Sequence, residues 1–334
     1  MVFVFYHNHK ENIGTIGIKV NRGWNKVKKQ LLFFCLRGKH NHNMSKPKIT
    51  KAVIPVAGLG TRLLPATISQ PKEMLPIVDK PVIQYVIEEA VDSGISDILM
   101  ITGKSKRAIE DYFDANQDLL SFLKKRNKDE FYREVLKVSN LGNFFYIRQE
   151  QPPRGLGHAV LQAEKHIGNE YFAVLLGDTI VNQKDPCTGK MMALFEKYRL
   201  PVIALAEVPK HRVCDFGIAK ISINRKNGTE EIVEIVEKPK VKDAPSNLSV
   251  AARYILPPEI FSILKKTKPR SGEIQLTDAI ATYIKRGGRF LAYQVKGEKW
   301  DIGSKLEYAK AFASFALTHS KIKDEFRKFL KQLV

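Results

Sequence analysis

From Ile49 onward, apolar runs of strand length alternate with stretches of helical period, and this alternation restricts the fold more than any other feature. Lys51-Ala52-Val53-Ile54-Pro55-Val56-Ala57 is an apolar run bounded by glycines, which suits a strand buried on both faces. Residues 81–93 place Val82, Ile83, Val86, Ile87, Ala90 and Val91 at the 3.6-residue period of a helix, and Gly94 stops it. Strands are expected at 98–102, 144–148 and 171–176, with helices over 106–137 and 157–167 between them. Parallel strands need a long crossover, usually a helix. The rhythm therefore predicts an α/β fold, a mostly parallel mixed sheet flanked by helices.

The second half is richer in strands, at 201–208, 217–223, 230–236, 248–256 and 289–296. Turns are expected at Asn227-Gly228 and Pro257-Pro258, and helices at 258–266 and 277–286. Residues 304–334 read as helix, whose last stretch places Ile322, Phe326, Phe329, Leu330 and Leu333 on one face. That face is too apolar for a solvated end, so it packs on the domain or on a neighbouring subunit of a homo-oligomer. No internal repeat or low-complexity linker interrupts 47–334, which reads as one domain with an elaboration over about 201–300. Residues 1–46 read as a disordered extension outside the fold. The first 43 carry eight basic residues against one acid, Glu11, and show no sustained period. Their apolar segment Leu31–Leu36 is too short for a secretory signal, and Arg37 and Lys39 follow it.

At 334 residues and 44% hydrophobic content the chain can bury a large core, and no apolar run approaches the roughly 20 residues that span a bilayer. A membrane-spanning protein is excluded. The net charge of +20 calls for anionic partners. The basic residues are spread out, without the aromatic-interleaved stripe that reads single strands, so nucleic acid is set aside. Cys35, Cys187 and Cys214 form neither a disulfide framework nor a zinc pattern, which fits a reducing cytoplasm.

The first strand-to-helix connection is Ala57-Gly58-Leu59-Gly60-Thr61-Arg62-Leu63. Its glycines allow close approach to a phosphate, but alone they are equally a tight turn. Leu63 stands where a dinucleotide fingerprint needs its third glycine, which disfavours a dehydrogenase. Ten residues on, Pro71-Lys72-Glu73-Met74-Leu75-Pro76 holds a lysine between two prolines. Asp178 follows the 171–176 strand, where α/β sheets place ligands, and is a metal ligand or a loop cap. Asp301, in Trp300-Asp301-Ile302-Gly303, is a second ligand or part of a plain turn.

These segments form a series with Gly155-Leu156-Gly157-His158-Ala159-Val160, Gly177-Asp178-Thr179, Phe216-Gly217, Val236-Glu237-Lys238-Pro239 and Glu273-Ile274-Gln275-Leu276-Thr277-Asp278. Over about residues 50–320 the series closely resembles the sugar-1-phosphate nucleotidylyltransferases. Gly-Leu-Gly-Thr-Arg and Lys-Glu-Met-Leu-Pro look like their prokaryotic branch acting on UTP and glucose 1-phosphate. The resemblance implies a Rossmann-like nucleotide-diphospho-sugar transferase fold and uridylyl transfer that gives UDP-glucose and pyrophosphate with Mg²⁺ as cofactor.

It also implies roles for named residues. Ala57, Gly58, Leu59, Gly60 and Thr61 cradle the triphosphate, the first two also lying against the base. Arg62 bears on the departing pyrophosphate and Lys72 on the triphosphate near its α-phosphate. Gly217 contacts the sugar, Glu237 accepts its hydroxyls, and Lys238 holds its phosphate. Asp178 and Asp301 hold the metal. The family reads its base with a Gln five residues ahead of the glycine at Gly155. Here Gln149 stands six ahead and Gln151 four ahead, and Gln149, at a strand end, is favoured. His158 reads as a packed residue, because phosphate oxygens are already anionic near pH 7, and Asp278 reads as a helix cap. The rival readings are a thymidylyltransferase or broad-specificity sister enzyme, and a non-catalytic regulatory binder of nucleotide sugars. Retention of Arg62, Lys72, Asp178, Lys238 and Asp301 argues against the latter.

Overall fold

In a computed structural model describing residues 48–150, 152, 154–181 and 186–333, the first apolar run becomes β1 (Lys51–Pro55), with Ala52, Val53 and Ile54 wholly buried. There follow β2 (Pro76–Ile77), β3 (Lys80–Pro81), β4 (Asp97–Thr102), β5 (Asn143–Arg148), β6 (Phe172–Leu175) and β7 (Thr179–Val181). The remainder are β8 (Val202–Glu207), β9 (Gly217–Ile223), β10 (Glu230–Glu237), β11 (Leu248–Leu256), β12 (Leu291–Gln294) and β13 (Lys299–Asp301). One mixed sheet runs β5-β4-β1-β6-β11-β8-β12-β10-β9. The β5-β4-β1-β6 stretch is parallel, as is β8-β12. Strand β11 is antiparallel to β6, β8 and β9, and β10 to β12 and β9. The first four parallel strands are joined by helical crossovers, and the short turn at Asn227-Gly228 reverses the chain between the antiparallel β9 and β10.

The sheet buries both faces. Val53 packs into one cluster with Leu99, Val174 and the helices Gly155–Leu161 and Leu276–Lys285. Its neighbours Ala52 and Ile54 face the opposite cluster with Ile87, Met191 and Phe195, as the two-residue period of a strand requires. Met191 and Phe195 lie on the helix Cys187–Tyr198, which the sequence reading does not contain.

The 106–137 stretch divides into Arg107–Phe113, Gln117–Lys125 and Asp129–Ser139. Asn116 explains one boundary: its side chain accepts the Leu119 N–H at 2.9 Å and caps a new helix. The C-terminal stretch likewise becomes Lys305–Ala316 and Lys323–Leu333. The second of these buries no residue, and Phe329 and Leu333 are 51% and 64% exposed. No helix among the described residues is long and apolar enough to cross a membrane. The extension assigned to 1–46 lies outside the described residues.

One ion pair closes the far edge of the sheet. Arg289 donates to both oxygens of Glu231 at 2.6 and 3.0 Å, and Asn224 adds a third bond at 2.6 Å. The hydrogen bond from Arg289, aided by Asn224, holds the Glu231 carboxyl down at about 2. A depressed carboxylate stabilises the fold above its ordinary pKa near 4.5 and loses that contribution as pH falls toward 2. Glu231→Gln should therefore cost about 1 kcal/mol at neutral pH, with Arg289 partly solvated, and nothing near pH 2. Denaturant melts of both proteins from pH 7 to 2 check this, and a difference constant with pH would exclude it.

Candidate active site

Beyond the carboxyl ends of β1 and β6 lies a cavity of about 610 Å³. Every residue given a role above lines it: the loop from Ala57 through Arg62, Lys72, Gln149, Gly155, Asp178, Gly217, Glu237, Lys238 and Asp301. The placement follows from the topology. Loops leaving the ends of parallel strands converge on one edge, and β9 and β10 bring Gly217 and Glu237 to it as a register pair.

Opposite charges meet at the floor. The Lys72 ammonium pairs with the Asp178 carboxylate. Burial alone would lower the Lys72 pKa, but attraction to Asp178, then Glu73, outweighs it and holds the lysine charged. Burial would likewise raise Asp178, and Lys72 outweighs that too, so the carboxylate stays ionised. Behind them Lys106 donates to Glu73 at 2.8 Å, an ion pair with both side chains almost wholly buried. It fixes the backbone that carries Lys72. The sequence reading missed this pair, whose only local sign was the charged dipeptide Lys72-Glu73 between prolines.

The second acid arrives through a small ladder. Strand β13 pairs with β7, Asp301 opposite Thr179, and the Ile302 N–H donates to the Asp178 carbonyl at 2.9 Å. Burial, then the charge of Asp178, raises the Asp301 pKa. No group of three or more His, Cys, Asp or Glu side chains among the described residues could hold a metal. A hard cation such as Mg²⁺ takes one or two carboxylates and completes its shell with phosphate oxygens and water. Two mutually repelling, half-buried acids fit that donor set.

On the wall near β9, Thr277 donates to Glu237 Oε2 at 2.7 Å and sets the carboxylate. A Cβ at Gly217 would lie 3.1 Å from both Glu237 Oε2 and Thr277 Oγ1, so a side chain there would press on that contact. Lys238 has left-handed backbone, its N–H donates to the Phe216 carbonyl at 3.0 Å, and its ammonium stands half exposed. Asp278 does not cap its helix: the N-cap is Gln275, and Asp278 lies within the first turn, 3.8 Å from Arg270. The chain enters this helix one residue earlier than its sequence suggested.

The opposite wall carries Gln149, buried, its amide nitrogen 3.4 Å from the Gly155 carbonyl and 3.0 Å from His158 Nδ1. Gly155 has φ of 86°, and a Cβ there would come within 2.8 Å of Glu273 Cβ, so the position requires glycine. Gln151 lies outside the described residues. His158 is buried, and burial, then Arg154, lowers its pKa, which leaves it neutral near pH 7 and packed.

A model of the nucleotidyl transferase family matches residues 51–317. The chain belongs to that family. A UTP–glucose-1-phosphate uridylyltransferase of Staphylococcus haemolyticus is 47% identical over 287 residues, which cover 86% of this chain and 99% of that protein. Among solved structures, a UTP-bound UGPase from Acinetobacter baumannii is similar at 41% identity and a TM-score of 0.78, over 86% of this chain and all of that one. A UDP-glucose pyrophosphorylase complexed with UDP-glucose is similar at 43% identity and a TM-score of 0.73, over 81% of this chain and all of that one. The Rossmann-like mixed sheet flanked by helices is thus the fold of this family.

Proposed function

We propose that this chain transfers the uridylyl group of UTP to α-D-glucose 1-phosphate, giving UDP-glucose and pyrophosphate. One observation carries the reading: a glycine loop, three cations (Arg62, Lys72, Lys238) and two acids (Asp178, Asp301) from five separate stretches of sequence line a single cavity. Relatives named for this activity, and neighbours solved with UTP and with UDP-glucose, favour it over thymidylyl transfer. An intact set of charged groups around one cavity favours catalysis over regulatory binding. Pyrophosphate release from four nucleoside triphosphates, each with several sugar 1-phosphates, tests it; preference for any pair other than UTP and glucose 1-phosphate would overturn the assignment.

The chemistry is positioning and charge compensation. A phosphate oxygen of the sugar phosphate forms a bond to the α-phosphorus in line, the α–β bridging bond breaks, and pyrophosphate leaves with the electron pair. No protein nucleophile or base is needed. The loop from Ala57 through Thr61 presents backbone N–H groups to the triphosphate, and Arg62, exposed at the mouth, meets the leaving pyrophosphate. Lys72 neutralises charge near the α-phosphate, Lys238 holds the sugar phosphate, and Glu237, set by Thr277, accepts sugar hydroxyls. Gln149 and Gly155 face the base. Mg²⁺ held by Asp178 and Asp301 would supply positive charge to the phosphoryl oxygens. The reading places the enzyme in the cytoplasm as a homo-oligomer, which the exposed apolar face of Phe329 and Leu333 supports.

The two lysines should separate kinetically. Lys238→Ala is expected to raise KM for glucose 1-phosphate roughly 10-fold or more with little change for UTP, while Lys72→Ala damages UTP use or turnover. Steady-state kinetics with each substrate varied in turn provides the measurement. Harm confined to UTP in Lys238→Ala would reverse the orientation of substrates in the cleft.

A further inference from the structure

We propose that Lys299 is a second cation for the phosphate of the sugar substrate, acting together with Lys238 in the same cavity. The proposal rests on the uridylyl-transfer reading above and adds to it a residue that none of the motifs nominated. Side chains alternate along a strand, so on β13 Lys299 and Asp301 emerge on one face, and both line the cavity. Trp300, between them, turns the other way into a cluster with Ile180 and Ile302.

Phe216 links the two lysines. Its carbonyl accepts the Lys238 N–H at 3.0 Å, and the Lys299 ammonium stands 4.6 Å from its ring centroid. The Arg212 guanidinium shares the same ring at 5.4 Å, so the ring's partial negative face is divided between two cations.

Lys299 differs from the other recessed lysines in what balances it. Lys72 touches Asp178 and Lys106 touches Glu73, whereas Asp301 and then Glu307 attract Lys299 without forming an ion pair with it among the described residues, and Arg212 repels it. A partly buried ammonium is costly to keep without a contacting counter-ion, and an aromatic ring with carboxylates beyond ion-pair distance compensates it incompletely. The cavity it lines must receive two polyanions. The triphosphate already has the glycine loop, Arg62 and Lys72. Lys299 lies on the Phe216-Gly217 side with Lys238, where the attacking phosphate approaches. Two cations on that phosphate would relieve its repulsion from the triphosphate before the new bond forms.

Lys299→Met keeps the stem over the ring and removes the charge; Lys299→Gln is the milder variant, and Lys299→Arg restores the charge. Each is first checked for a parent-like thermal transition. In Met and Gln variants KM for glucose 1-phosphate should rise about tenfold, KM for UTP should stay within about twofold, and Arg should recover most of the loss. Calorimetric titration with UDP-glucose, whose outer phosphate is the former sugar phosphate, should weaken in parallel, while titration with UTP alone should not. Unchanged KM for glucose 1-phosphate in both neutral variants, or equal losses for both substrates, would overturn the proposal. A parent enzyme inactive with UTP and glucose 1-phosphate would instead overturn the uridylyl-transfer reading, so the two failures are distinguishable.

Discussion

Asp178→Asn is expected to lower kcat by about 10²-fold or more without unfolding the protein, the loss typical of removing one preorganised electrostatic contact. The amide has the shape of the carboxylate, so the turn after β6 and its Ile302–Asp178 backbone bond at 2.9 Å should persist. What disappears is the charge. Two consequences follow. Lys72, now opposite a neutral group, loses the largest attraction that offsets its burial, and its pKa should fall from its raised value. The proposed cation site loses the one of its two acids that is held fully ionised, since Asp301 is the acid whose pKa is raised. Turnover at saturating substrates, followed across a Mg²⁺ titration, measures the effect. A variant that regained near-parental turnover at high Mg²⁺ would move the principal charge elsewhere, with Asp301 next.

The fold was legible to the extent that it depends on period. Strands β9 and β11 have the bounds that alternation and apolar runs predict, and β11 is buried on both faces along its whole length. The helix Cys187–Tyr198 was not legible. Its apolar residues Met191, Met192 and Phe195 serve a core shared with distant strands, and its N-terminal side carries Pro186 rather than a side-chain cap. In the site, residues inside compact motifs were visible, since a loop or a strand end places them in a cavity by itself. Lys106, Thr277 as the partner of Glu237, and Lys299 were not: each meets its partner across tens of residues of sequence, through strand order that local pattern does not specify.

The clearest of these long-range devices lies behind the catalytic corner and should dominate stability: Arg253→Met is expected to destabilise the fold by about 3–5 kcal/mol. Arg253 is 1% exposed within the otherwise apolar strand β11, and a charge in such a run was the one sign available in the sequence. Its guanidinium donates to Glu89 at 2.7 to 3.2 Å and to the Thr179 carbonyl at 2.9 Å. Glu89 in turn accepts the Thr188 N–H at 3.1 Å and its hydroxyl at 2.6 Å. One buried network therefore ties the helix Val82–Asp92, the helix Cys187–Tyr198, β11 and the residue after Asp178. Removing the arginine leaves Glu89 buried with hydroxyl and amide donors but no counter-charge, and that uncompensated carboxylate is the source of the cost. The loss would be a large fraction of a typical domain stability of about 5–15 kcal/mol. Removing both charges should hurt less than removing one, so Arg253→Met combined with Glu89→Leu should recover part of the stability although it deletes more hydrogen bonds. Denaturant unfolding of the parent, the single and the double variant closes the cycle. A single variant within about 1 kcal/mol of the parent would mean that Glu89 is neutral or solvated in the fold. A double variant less stable than the single would mean that the hydrogen bonds to Thr179 and Thr188, rather than the charge balance, hold this corner in place.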